Sequence, residues 1–239
     1  MKTATAIPER AIIFGGPMVR AILANRKRHT RRVIKPQPSP EHWQTIHCGW
    51  YEPTVVRKGI QEPGPPVYGF ASEDEGWKSP YGAPGHHLWV RETWLELRRD
   101  HWHDYTKSRL ETVTLNTPRR NGIAYRADCT SYDSDRCRIE LGYEKWRSPI
   151  HMPRLYSRLS IEVVSIRVEQ LQSISEEDAI AEGVDAVTMA DVPRQATMTR
   201  RADFAQLWDI INGKRGYTWE SNPWVWVIDF KQIKSEHHS

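Results

Sequence analysis

The stretch "RLSIEVVSIRVEQLQSISEEDAIAEGV", residues 158–184, changes hydrophobic period partway along, and that change sets the fold. In its first half the apolar side chains at Leu159, Ile161, Val163 and then Ile166 and Val168 alternate with polar ones, the period-two signature of a strand with one buried face, interrupted by one irregularity. The second half carries helix signals instead. Ser175 stands as an N-cap, Asp178 three residues on forms a variant of the capping box, Glu176 and Glu177 place negative charge in the first turn, and Gly183 terminates it. A long strand therefore hands the chain to a short helix.

Upstream, "RAIIFGGPMVRAILAN" gives a short strand at Ala11–Phe14, a break at Gly15-Gly16-Pro17, and a helix with Val19, Ile22 and Leu23 on one side. Asn25 falls where a helix end favours a residue that tolerates the left-handed conformation. The chain re-enters as a basic strand ending at Val33-Ile34, closed by Pro36, Pro38 and Pro40. Further strands are expected over Leu88–Trp94, in "GIAYRAD" and in "NPWVWVIDFKQI". A helix over "RADFAQLWDIING" places Phe204, Leu207, Trp208 and Ile211 on one face and stops at Gly213. The weakly periodic segments 37–80, 98–121 and 185–200 are expected to be loop insertions. Short strands with two or three helices imply one α+β domain over residues 1–239, a mixed β-barrel or curled sheet with short helices at its rim. No glycine-rich loop precedes a helix in the dinucleotide-binding pattern.

Composition bounds the function more loosely. The 34 Lys and Arg against 30 Asp and Glu leave a net charge of only +4, so bulk charge is a weak argument for a polyanion partner. The local density of basic residues over 20–35, within which "ANRKRHTRRVIK" begins at Ala24, is a stronger one. Cys48, Cys129 and Cys137 are too few and too scattered for a disulfide framework, no signal-peptide core opens the chain, and no apolar run approaches the roughly 20 residues that span a bilayer. A cytoplasmic protein without a membrane partner or an obligate protein partner is expected. His101 and His103 lack further ligands, so neither a metal nor another cofactor is expected.

The blocks "IIFGGPMVRAILANRKRHTRRVIKP", "PYGAPGHHLWVRETW", "YRAD", "WRSPIHMPR", "LQSISEEDAIAEGV" and "NPWVWVIDF", in this order, resemble the ASCH-domain proteins, especially the longer phage and prophage members. The resemblance implies a PUA-like barrel with a cleft for RNA or a modified nucleoside, in the host cytoplasm if the chain is phage-encoded. It further implies an amidohydrolase that removes the acetyl group from N(4)-acetylcytidine with a Lys, Thr and Glu trio, which matches Lys27, Thr30 and Glu182 here. Asn25 replaces the family's glycine before the basic motif, and Arg28-His29 fill the spacer.

Residue chemistry alone adds conditions. A carboxylate at position 182 would face the negative end of the helix dipole, costing about 0.3–1 kcal/mol unless a cation such as Lys27 answers it. In a regular strand Lys27 and Thr30 point to opposite faces, so a shared site demands a turn or bulge within residues 25–29. Arg26, Arg28, Arg31 and Arg32 are candidates for phosphate contacts, or for a solvated strand paired with the acidic "SEDE" at 72–75. Trp89 and Tyr125 are candidate substrate contacts, with His151 a weaker one. Trp224 and Trp226 are expected on one face of the last strand, in the core, with Val225 and Val227 on the other. A noncatalytic RNA- or DNA-binding module and a ribonuclease remain the alternative functions.

Overall fold

The computed structural model describes residues 7–39, 47–72, 75–96, 123–128, 145–184 and 199–233. In chain order the elements are β1 (Glu9–Ile13), α1 (Gly16–Leu23), β2 (His29–Val33), β3 (Gly49–Tyr51), β4 (Thr54–Arg57), β5 (Ile60–Pro63), β6 (Val67–Ala71), β7 (Gly76–Lys78), β8 (His87–Arg91), β9 (Trp94–Glu96), β10 (Ile123–Tyr125), β11 (Ser160–Gln170), α2 (Glu176–Ala181), α3 (Arg200–Asn212) and β12 (Trp224–Ile233). The class is mixed α+β, dominated by strands with a few short helices.

The alternating run becomes β11, the middle strand of a five-stranded sheet ordered β1-β8-β11-β12-β2. Only β1 and β8 run parallel; the other three pairings are antiparallel. The irregularity in the run is a register shift between Val163 and Ser165, which turns Val164 out to solvent. Hydrogen-bonded pairing stops at β1 and β2. Among the described residues no ladder joins these two edges, and strand pairing therefore leaves the sheet open. A side-chain tether crosses near the gap, from Arg32 Nη2 to the Ile13 carbonyl at 2.6 Å.

Both faces of the sheet are covered. Trp224, Trp226, Ile228 and Phe230 of β12 join Ile161, Val163, Ile166 and Val168 of β11 in the larger core with Phe14, Val19 and Ile22. Val225 and Val227 point the other way, into a second core built with Leu171, Ala179, Phe204 and Trp208. The expected division of β12 into a tryptophan face and a valine face thus holds, and both tryptophans are buried rather than offered for stacking.

The first of the two downstream helices begins as anticipated at Ser175, and the second begins one residue earlier than its expected start at Arg201. The Ser175 hydroxyl accepts from Asp178 N at 3.1 Å, and Thr199 caps α3 by accepting from Ala202 N at 3.2 Å. Thr199 and Arg200 therefore belong to a helix, not to an insertion; residues 185–198 and 98–121 lie outside the described residues.

Segment 37–80 departs most from expectation. Its described part is not irregular: β3, β6 and β7 form one antiparallel sheet and β4 and β5 a hairpin. Phe70 stacks on Trp77 with centroids 4.9 Å apart and meets Trp226 at 5.3 Å, so this small sheet closes one side of the main core. Trp77→Ala is expected to cost about 3–5 kcal/mol in chemical denaturation, as removal of a buried tryptophan does. A loss below about 1 kcal/mol would mark the segment as a loosely attached loop.

Candidate functional site

The turn demanded between residues 25 and 29 is present. Asn25 adopts φ 55, in the left-handed region, and the amides of Arg26 and Lys27 both return to the Ala21 carbonyl, at 2.8 and 3.1 Å. Regular strand begins only at His29. Two backbone bonds fix the turn from outside: Arg28 N donates to Ala181 O at 2.8 Å, and Phe230 N donates to Arg28 O at 2.9 Å. Lys27 thereby escapes the alternation that would have pointed it away from Thr30.

Its side chain runs inward, 2 % exposed, to the end of α2. Lys27 Nζ donates to Glu182 Oε2 at 2.6 Å and to the Glu182 carbonyl at 2.8 Å. The ammonium thus answers both the carboxylate and the unpaired backbone oxygen at the helix's negative end, which is the compensation that the sequence called for. Burial pushes the Lys27 pKa down from its ordinary 10.5; Glu182 pushes it back up without cancelling that shift, and Arg32 and Arg31 add to the fall. A lysine in this position is easier to deprotonate than one in water.

Arg31 occupies the other side of Glu182. Nη1 donates to Glu182 Oε1 at 3.3 Å, while Nη2 reaches Glu169 Oε2 at 3.3 Å and Asp178 Oδ2. Asp178 and Glu182 stand four residues apart and so share one helical face, turned onto the sheet. Cross-strand register supplies the remainder: Arg31 lies opposite Val227, which lies opposite Arg167, and His29 opposite Asp229. Arg167 bonds Asp178, Asp229 and Glu169. Burial alone would raise the Asp178 carboxyl, but the Arg31 hydrogen bond and the charges of Arg31, Arg167 and His29 hold it below its ordinary value. His29 Nδ1 sits 3.2 Å from Asp178 Oδ1 without hydrogen-bond alignment.

Beside this pair opens a pocket of about 210 Å³. Lys27, Thr30, Arg31, Arg32 and Glu182 form one side; Phe204, Leu207, Trp208 and Ile211 of α3, with Tyr81 and Tyr217, supply an apolar and aromatic wall. β2 is an edge strand, which is why side chains of both parities, Thr30 and Arg32 with Arg31 and Val33, reach the same cavity. The Thr30 hydroxyl makes no hydrogen bond to another described residue, although Thr30 is only 3 % exposed. It is a hydroxyl held at the cavity surface next to a lysine and a carboxylate.

The remaining candidates separate. Arg26 and Arg28 are exposed and do not line the pocket, and Arg31 is committed to carboxylates of β11 and the α2 end; Glu73 and Asp74 of "SEDE" lie outside the described residues. Trp89 lies in β8, beneath the guanidinium of Arg91 at 4.6 Å. Tyr125 belongs to a separate cluster with Trp94, Ile123 and Met152, and donates to the Tyr156 carbonyl. His151 is exposed in a 3-10 turn. None of these three borders the cavity. Sequence reasoning missed Tyr81, Tyr217, Lys35 and Arg215 as pocket residues; the α3 stripe that it placed on one helix face runs past buried Trp208 to Ile211, 40 % exposed, which is where core becomes pocket wall.

Among the described residues no group of three or more His, Cys, Asp or Glu is placed to hold a metal ion; His101 and His103 lie outside them. No helix among them is long and apolar enough to cross a membrane. Comparison with protein-family models, with curated proteins and with solved structures finds no match for this chain.

The close approach of α2 to the turn depends on Gly183. Its φ of 80 is left-handed, and an added Cβ would lie 3.0 Å from Lys27 Cβ and 3.2 Å from Ala21 Cβ. Gly183→Ala is expected to destabilise the protein by more than 1 kcal/mol, read by thermal or urea unfolding. An unchanged midpoint would mean that helix and lysine are not in contact.

Proposed function

We propose that this chain is an ASCH-type amidohydrolase that removes an acyl group from the exocyclic amine of a cytosine nucleoside, with N(4)-acetylcytidine as the first substrate to try. The open sheet, with α1 and the Arg32 tether at its gap, is then a variant of a PUA-like barrel. The observation that carries the reading is the buried Lys27–Glu182 pair with Thr30 on the wall of the same aromatic-lined pocket.

The chemistry follows from those three groups. Water adds to the acyl carbon, the C–N bond breaks, and acetate and the free amine leave; if the Thr30 hydroxyl attacks first, the amine leaves from an acyl-threonine ester, and water then cleaves that ester to release acetate and restore the hydroxyl. The proton lost by the attacking oxygen passes to the departing nitrogen. Lys27 and Glu182, joined by a 2.6 Å hydrogen bond, act as one proton-handling couple. Lys27 and Arg31, both on the pocket wall, are the cations available to steady the oxyanion. Aromatic side chains opposite give a flat pyrimidine a stacking surface.

Acetate release from N(4)-acetylcytidine tests this directly. Lys27→Met, Glu182→Gln and Thr30→Val are each expected to lower kcat/KM by about 10²–10⁴, the usual worth of a positioned acid or base. With Lys27 depressed, activity should rise with pH through an apparent pKa below the ordinary lysine value of 10.5. No turnover, or turnover indifferent to all three substitutions, contradicts the enzymatic reading. One observation favours a noncatalytic nucleic-acid module instead: both Glu182 oxygens are already occupied, by Lys27 and Arg31. Saturable binding of cytidine or single-stranded RNA without hydrolysis would select it.

A further inference from the structure

Charge within the pocket is unevenly distributed. Five cationic side chains border it, Lys27, Arg31, Arg32, Lys35 and Arg215, against the single carboxylate of Glu182. The inner two are neutralised by Glu182, Asp178 and Glu169. The outer three are not. Among the described residues, Arg32, Lys35 and Arg215 have no carboxylate within ion-pairing distance. Arg32 spends Nη2 on the Ile13 carbonyl and packs over Phe14 at 5.1 Å, while its buried Nε has no partner. Lys35 lies 5.2 Å from the centre of the Tyr217 ring. Arg215 follows α3 in an exposed 3-10 turn, and its charge is close enough to depress the Arg32 pKa alongside the larger effect of burial.

Gathering unpaired like charges at one opening is unfavourable unless an anion is to be bound there. Lys35 also borders a second groove of about 420 Å³, lined by Trp77, Lys78, Pro80 and Trp226. Lys35 therefore stands between the aromatic cavity that all three cations border and a groove along which a chain could continue.

We infer that the mouth of the pocket is a phosphate subsite formed by Arg32, Lys35 and Arg215, so that the ligand is a phosphorylated nucleoside rather than a bare one. This rests on the reading that the cavity holds a nucleobase. The phosphate belongs either to a free mononucleotide or to a single strand whose neighbouring nucleotide runs into the Trp77 groove. The shared chemistry is a phosphate ester one sugar away from a pyrimidine.

Calorimetric titration with cytidine, cytidine 5′-monophosphate, cytidine 3′-monophosphate and a short oligocytidylate tests it. One or other monophosphate should bind about tenfold or more tighter than cytidine at low salt, with the advantage shrinking as salt rises. In the double variant Lys35→Gln, Arg215→Gln the ratio should fall towards one; both side chains are exposed, and a melting curve checks that the fold survives. An oligocytidylate that binds tighter than either monophosphate identifies a strand as the phosphate source, and equal binding identifies the mononucleotide. Equal affinity for cytidine and both monophosphates, a ratio untouched by the double variant, or binding of none of the probes overturns the subsite. Phosphate-dependent binding without acetate release from an acetylated cytosine ligand sinks the hydrolase and leaves the subsite standing.

Discussion

The ion pair between Lys27 and Glu182 is the contact on which the site depends. It joins a turn near the start of the chain to a helix end 155 positions later, with a hydrogen bond of 2.6 Å and neither residue more than 6 % exposed. Burying one of these charges alone would cost several kcal/mol, so each residue requires the other. The pair also settles where α2 can lie, because Lys27 caps the Glu182 carbonyl as well as its carboxylate. Arg31 extends the constraint sideways to Asp178 and Glu169. Removing the lysine would thus loosen helix, turn and edge strand together.

Around that contact the molecule separates polarity by sheet face. On the face of β2, β12 and β11 that carries Trp226 and Ile228 the side chains are mainly apolar, interrupted by Thr30 and Arg32 where β2 forms the edge. On the opposite face His29, Arg31, Arg167, Glu169 and Asp229 form an ionic lattice under α2, giving way to Val225, Val227 and the aromatic side of α3. The pocket sits where apolar wall, lattice and free strand edge meet. That position explains its mixed lining.

Much of this was legible in the sequence because it rested on local rules. Alternation in β11 with its one irregularity, the Trp and Val faces of β12, the Ser175 cap, the Gly183 stop and the left-handed Asn25 all depend on near neighbours. The need for a turn before Thr30 followed from strand parity. Strands of three to five residues in segment 37–80 were illegible, since such short runs hold too few side chains to display a period, and the β3-β6-β7 sheet is held by Phe70, which stacks on Trp77 and meets Trp226. Trp89 was misplaced for a topological reason. β8 is three strand spacings from β2 in the sheet, about 14 Å, and nothing local reveals that order. Tyr81, Tyr217 and Arg215 reach the pocket from loops and turns, where spacing carries no signal.

A double-mutant cycle on unfolding free energy, combining Lys27→Met with Glu182→Gln, tests the central contact most directly. Coupling of about 1.5 kcal/mol or more is expected for a buried, directly bonded pair. Additive losses within about 0.5 kcal/mol would show that the lysine and the carboxylate do not meet.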